Sequence, residues 1–326
     1  MTEFRRVLFR SELHASRAEY GEILLHEFIR TGDTNLWLWT AAFAERFQQV
    51  SINRGRHHER GGAVRGRYGD HESANRIRSM RGAAYLWQMA DLTGREDYRR
   101  SALGIADYLT RSFPWTNGRQ GAAVRDLVFM HRVTGDARYR DTAQQIVTAL
   151  QAAQQPGGGW FEYWDANLNA SVYDPPGHHG GQWTPAATIK PEMASYNVNG
   201  LLDALSEPSP LGRGGQAADM VRRAAEWLLG VQSREGAWPF PDPTSKGLYG
   251  YGIGLDAAAM LKAGRYFRDT RYFDAGVRAV EFALRRLERH GIIPALLNVA
   301  DADQTEGSMT YFYLLEALAV MDLGPT

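Results

Sequence analysis

The densest run of groups able to move protons or hold anions lies between positions 54 and 72. It contains Arg54, Arg56, His57, His58, Glu59, Arg60, Arg65, Arg67, Tyr68, Asp70, His71 and Glu72. Histidine titrates near neutral pH, so His58 and His71 are candidate general bases. Arg67 and Arg56 present planar forks suited to a carboxylate, and Tyr68 offers a transferable proton. The plain alternative is a solvated charged loop. A second run is Gly157-Gly158-Gly159-Trp160-Phe161-Glu162-Tyr163-Trp164, continuing through Tyr173, Asp174, His178, His179 and Trp183. Glycines let the backbone approach a ligand, and tryptophan faces stack on sugar rings; a hydrophobic plug is the alternative for any one tryptophan. A third is Lys190-Pro191-Glu192-Met193-Ala194-Ser195-Tyr196-Asn197, in which Tyr196 and Asn197 are expected to face a cavity. Trp238, Tyr249, Tyr251 and Glu306 complete the candidates. His57-His58 and His178-His179 are adjacent pairs without the i,i+4 spacing of a helical zinc site, so no metal is expected. Nor is there a Gly-rich phosphate loop, a dinucleotide fingerprint or a nucleophile elbow, and no cofactor is expected.

These runs are held by a repeat. Three turns stand out, Thr31-Gly32-Asp33, Thr93-Gly94-Arg95 and Thr134-Gly135-Asp136, with a degenerate copy at Phe267-Arg268-Asp269. Glycine ends one helix and the next residue caps another. Five residues after each turn begins comes an anchor: Leu36, Tyr98, Tyr139 or Tyr272. Small or apolar residues follow each anchor at helical spacing, as in Ala102, Ile105, Ala106 and Leu109. The helices before the turns are apolar around most of their circumference; those after it carry arginine-rich faces. The pattern predicts six inner helices near 13–30, 78–92, 121–133, 195–206, 251–266 and 308–322. Five outer helices are expected near 35–50, 96–112, 137–153, 216–232 and 271–289. The fold class is therefore all-α, an (α/α)6-type toroid of helical hairpins, incomplete by one outer helix. The within-hairpin turns share one end of the ring. The longer connections, 51–78, 154–194, 233–250 and 290–307, share the other and carry six of the nine histidines. Every inner helix starts at that second end, so its positive dipole terminus favours an anionic ligand there.

Composition narrows the classes. The 326 residues carry zero net formal charge, which gives no reason to expect nucleic acid or an acidic membrane as partner. No apolar run approaches membrane-spanning length. Cysteine is absent, so thiol catalysis and disulfides are excluded while the compartment stays open. Only Lys190, Lys246 and Lys262 are lysines; nearly all positive charge is arginine. Residues 1–11 read as a translated sequencing-adapter scar, leaving 12–326 as a single toroid domain expected to be a fragment of a longer multidomain protein.

The hairpins, their Thr-Gly-Asp turns and the Gly-Gly-Trp loops resemble the (α/α) toroids of carbohydrate-active enzymes. Glu27 to Asp33, the His57-His58 loop and the Tyr85 to Leu109 hairpin are most similar to the C-terminal toroid domain of the exo-acting rhamnogalacturonan lyase family. The resemblance implies a poly- or oligosaccharide substrate and β-elimination on a uronic-acid-containing glycan. Arg67 or Asn197 would neutralise the uronate, His58 or His71 remove the α-proton, and Tyr68 or Tyr196 protonate the leaving oxygen. Arg56, His57, Asp70, Trp160, Trp164, Trp183, His178, His179, Lys190, Glu192, Asn197, Trp238 and Tyr251 would bind the glycan. Two other readings stand beside it. A glycoside hydrolase on the same scaffold would use two carboxylates from Asp70, Glu72, Asp174, Glu192 and Glu306. A non-catalytic carbohydrate-binding toroid would use none.

Overall fold

A computed structural model describes residues 18–48, 82–113, 120–161, 164–165, 170–171, 189–206, 209–212, 214–240, 247–250, 252–291, 293, 296–297 and 308–325. Eleven α-helices occupy most of them. The inner helices are α1 (Ala18–Thr31), α3 (Gly82–Thr93), α5 (Gly121–Thr134), α7 (Pro191–Leu205), α9 (Ile253–Phe267) and α11 (Ser308–Asp322). The outer ones are α2 (Thr34–Phe47), α4 (Glu96–Ser112), α6 (Ala137–Ala153), α8 (Gln216–Val231) and α10 (Thr270–His290). Each expected helix is present, with ends shifted by a few residues. Of these, α7 starts earlier than expected and takes Glu192 into its first turn. The β structure among the described residues is two antiparallel two-residue ladders. β1 (Trp164–Asp165) pairs with β2 (Ala170–Ser171), and β3 (Leu248–Tyr249) with β4 (Leu296–Leu297).

The chain groups into two compact units, 1–115 with 122–146, and 116–121 with 147–326. In the first, α1 packs on α2 and α3, and α3 on α4. In the second, α9 packs on α7, α8, α10 and α11. The wholly buried stretches of α7 and α9 explain why their sequences are apolar on nearly every side.

The turns behave as their residue types require. Gly32, Gly94 and Gly135 lie at φ of 72°, 71° and 74°, where a Cβ is strained. The threonine hydroxyls of Thr31, Thr93 and Thr134 donate to the carbonyls of Glu27, Met89 and Met130. Asp33, Asp136 and Asp269 cap the following helices by accepting from the amides of Asn35, Arg138 and Arg271. The tyrosine anchors then tie each outer helix to its predecessor. Tyr98 donates to Glu45 at 3.2 Å, Tyr139 to Asp107 at 3.0 Å and Tyr272 to Glu226 at 2.5 Å. Arg95, Arg138 and Arg271 reach the same three carboxylates.

At the far end of α6 and α8 a second device repeats. Gln154 donates from its side-chain amide to Gly158 O and to Met220 O on α8, at 2.8 and 2.9 Å. Gln232 does the same to Gly236 O and Ala275 O on α10, at the same distances. Arg223 and Arg278 donate back to the two glutamine oxygens. Gly158 and Gly236, at φ of 107° and 105°, let the loop lie against the Arg223 and Arg278 carbonyls, where a Cβ would sit within 2.3 and 2.6 Å. Trp160 and Trp238 then fill the space behind, each indole N–H donating to a carbonyl of the outer helix just left, Leu150 at 2.8 Å and Leu228 at 2.9 Å.

Two inner helices, α3 and α5, are capped from the next inner helix. Asp126 on α5 accepts from Ala83 N at the start of α3, at 2.9 Å, and Asn197 on α7 accepts from Gly121 N at the start of α5, also at 2.9 Å. Asp126 sits beside a buried ion pair, Arg125 with Glu22 of α1, at 2.7 Å. Breaking such a pair by removing one member is costly because the other charge is stranded.

Candidate active site

Two inner helices of the second unit, α7 and α9, carry a carboxylate in their first turns: Glu192 and Asp256. The helices pack together, and the charge of Glu192 acts on Asp256, so the two first turns lie side by side. Local chemistry places both. Pro191 opens α7 with a preset φ and no amide hydrogen to satisfy. Gly252 precedes α9 because the Tyr249 ring occupies the space, with Cε1 2.2 Å from where a Cβ would be. Gly254 lets α11 approach equally closely, its Leu314 N being 2.3 Å from a Cβ there.

Asp256 is wholly buried, and neither carboxyl oxygen has a well-formed hydrogen bond. Burial pushes its pKa up to about 8; the nearby Ser195 hydroxyl tempers the rise and the Glu192 charge adds to it. Asp256 therefore holds a proton at neutral pH. Glu192, also buried, accepts from the Tyr249 hydroxyl at 3.1 Å. The Tyr249 ring stacks on Phe240 at 4.5 Å and 11°, and the Lys190 ammonium lies 5.9 Å from the Phe240 ring. The Trp238 loop runs straight into this wall: Tyr249 N donates to Trp238 O at 2.9 Å, and Phe240 N to Gly247 O at 3.0 Å. A proton-bearing carboxyl beside a second carboxylate is the division of labour that acid–base cleavage of a glycosidic bond needs.

The structure brings together Lys190 and Glu192 of the residues singled out for glycan binding, and adds Tyr249 from the wider candidates. Trp160 and Trp238 are closed to solvent as the back of the glutamine loops, so neither offers a face to a sugar here. Asn197 is wholly buried with its carbonyl engaged at Gly121, and Tyr196 packs edge-on against Tyr313 at 6.2 Å; neither faces an open cavity as expected. The reason is the earlier start of α7, which puts Glu192 in the first turn and Tyr196 and Asn197 a turn further into the helix. Trp164 lies in β1. Arg56, His57, His58, Arg67, Tyr68, Asp70, His71, Glu72, Asp174, His178, His179, Trp183, Tyr251 and Glu306 lie outside the described residues. Among the described residues no group of three or more His, Cys, Asp or Glu side chains is placed to hold a metal.

Sequence reasoning gave Asp256 no role, and named Ser195 only as a member of the Lys190 to Asn197 run. The signal for Asp256 was present: it is the one charge in the apolar run Gly254-Leu255-Asp256-Ala257-Ala258-Ala259-Met260-Leu261. A lone carboxylate on an otherwise buried helix needs a reason.

Comparison with known proteins bears on this arrangement. The family model described as "Beta-L-arabinofuranosidase, GH127 catalytic domain" matches residues 87–281, which include Glu192 and Asp256. A search of curated proteins gave no match. Among solved structures, a polysaccharide lyase is similar with a TM-score of 0.73 at 13% identity, covering 100% of this chain and 96% of that one. A glycosyl hydrolase of family 88 from Bacteroides vulgatus is similar at 0.68 and 14%, covering 97% and 94%. An unsaturated glucuronyl hydrolase from Bacillus sp. GL1, described as responsible for the degradation of glycosaminoglycan, follows at 0.65 and 15%, covering 96% and 88%. These likenesses show the fold, the all-α toroid of helical hairpins found in carbohydrate-active enzymes.

Proposed function

We propose, since the chain belongs to the beta-L-arabinofuranosidase, GH127 catalytic domain family, that it is a glycoside hydrolase working through Glu192 and Asp256. The observation that carries this is the Asp256 carboxyl, fully buried, without a well-formed hydrogen bond and beside Glu192 at paired helix starts. Asp256 supplies a proton to the glycosidic oxygen as the bond to the anomeric carbon breaks. Glu192, held by Tyr249, either attacks that carbon or draws a proton from the incoming water; both routes add water across the glycosidic bond and create no new double bond. With no cysteine in the chain, no thiolate competes for the nucleophile's part. For substrate we favour an oligosaccharide bearing a uronic acid. Lys190 beside Glu192 is a cation suited to a carboxylate, the α7 and α9 termini add positive potential, and one solved relative is named for glucuronyl hydrolysis.

A lyase is the second reading, favoured by the solved polysaccharide lyase that covers the whole chain and by the resemblance to the exo-acting rhamnogalacturonan lyase toroid. It assigns base and acid to His58 or His71 and Tyr68 or Tyr196.

Incubation with β-L-arabinofuranosides, saturated and unsaturated uronosides and uronate polysaccharides, followed by product analysis, separates these. Sugar release without a new double bond, requiring Glu192 and Asp256, supports hydrolysis. New unsaturated ends from a polymer, insensitive to Glu192→Gln, favour elimination. No release from any of them leaves a carbohydrate-binding toroid.

A further inference from the structure

The repeat is broken twice in the second unit, and both breaks open on one cavity. Four hairpins turn in two residues, but α7 and α8 are joined by the ten residues 206–215. Where three turns place glycine at φ of 71° to 74°, the turn after α9 places Arg268, at φ of 54°. A side chain in that region is strained, and strain of this kind collects where a side chain has work to do. Between the long turn and Arg268 lies a cavity of about 870 Å³, within the size range of ligand pockets. Its wall is built from the last turns of α7 and α9, the first turns of α8 and the end of α11.

The wall carries four cations, Arg222, Lys262, Arg265 and Arg268, against two carboxylates, Asp203 and Asp219. Lys262 is spent on Asp203 and on Glu316, both at 2.7 Å. Arg265 donates to the Gly324 carbonyl. The Arg222 and Arg268 side chains have no hydrogen bond or ion pair among the described residues. The Arg222 guanidinium lies over the Phe267 ring at 4.2 Å, and its charge reaches Asp269 without a hydrogen bond to it, so its nitrogens can take a planar anion. Gly215, which begins α8, gives that helix no side-chain cap, so its amide end also faces the pocket unanswered by a side chain. Leu202, Leu205 and Val320 supply an apolar floor.

We propose that this cavity is a second, non-catalytic site for a carboxylate-bearing saccharide, clamped by Arg222 and Arg268. It stands at the other end of α7 and α9 from Glu192 and Asp256, about 20 Å away along α7. The anion part of the assignment comes from the cavity itself; the saccharide part rests on the hydrolase reading above.

The test is calorimetric titration of digalacturonate into the full chain carrying Glu192→Gln, so that nothing is turned over. Arg222→Ala and Arg268→Gly should each weaken a salt-sensitive binding event about tenfold, the loss of one charge-assisted clamp. Arg268→Gly restores the residue the other turns use, so its fold is expected to survive, and a thermal melt checks both variants. With Glu192 intact, Arg268→Gly should hydrolyse small substrates at the parent rate. Digalacturonate binding unchanged in both arginine variants overturns the proposal. So does hydrolysis lost in Arg268→Gly as fully as in Glu192→Gln, which would make the cavity part of the reacting site. If inorganic phosphate binds and digalacturonate does not displace it, the saccharide assignment falls.

Discussion

The turn that follows α5 and the starts of α7 and α9 use the same residue types and treat them oppositely. At that turn the polar groups repeat those of the other two-residue turns and are answered: threonine to carbonyl, aspartate to amide, tyrosine and arginine to a neighbouring carboxylate. At the starting end, Asp256 is buried with no well-formed partner and nothing in the described hairpins repeats it. Repetition with full pairing is what stability alone selects. An unanswered buried carboxyl costs free energy, and it survives where its proton is wanted.

The sharpest way to break this contrast is to remove the carboxyls. Asp256→Asn and Glu192→Gln should each lower turnover by about 10²–10⁴, as loss of a positioned acid or base does, with little change in KM. Steady-state kinetics on whichever substrate is cleaved decides it; near-normal turnover in both would make Asp256 a structural oddity. Next come the paired tryptophans. Trp160→Ala and Trp238→Ala should each cost about 3–5 kcal/mol in denaturant unfolding, since both fill the same kind of space. Trp238 leads into Tyr249, and Trp160 into Phe161, which bridges Ile189 beside Lys190, so each loss should also cut turnover beyond what the melting curve accounts for. Activity loss no greater than the loss of folded protein in both would remove the link from loop to Glu192.

The pH dependence of stability gives a third comparison. Folding raises the Asp256 pKa from its usual carboxylate value to about 8, so the folded chain holds a proton the unfolded one releases. Its contribution is fully present below the unfolded value and is lost as pH climbs through about 8. The turn aspartates Asp136 and Asp269 run the other way: arginine and amide donors lower their pKa, so their contribution is lost toward acid. Melting temperature followed between pH 5 and 9 should fall in the parent and fall less in Asp256→Asn. Smaller still are the tyrosine ties. Tyr98→Phe, Tyr139→Phe and Tyr272→Phe should cost about 0.5–1.5 kcal/mol each and add nearly independently, since each bonds a different carboxylate.

The same contrast explains what could be read in the sequence. The hairpins were legible because their turns and helix faces are local patterns: Thr134-Gly135-Asp136 announces a helix end and a helix start without reference to anything distant. The glutamine loops were half legible. Gly157 to Trp160 and Gly236 to Trp238 are visible as glycine before tryptophan, but Gln154 and Gln232 acquire meaning only from carbonyls on the next outer helix. Asn197 read as a ligand group because its acceptor role is filled by Gly121, seventy-six positions away. Asp256 was in view as a lone charge on a buried helix; its pairing with Glu192 depends on two helix starts meeting in space.

The caps that α5 gives α3 and α7 gives α5 have a directional consequence. Asp126 completes the start of α3, and Asn197 completes the start of α5, so each of these two helices waits for a later one before its own first turn is closed. A nascent chain leaving the ribosome would thus carry the start of α3 frayed until α5 arrives, and the start of α5 frayed until α7 does. Shortening the protein to a point before α7 should loosen the first turn of α5 ahead of the rest of that helix.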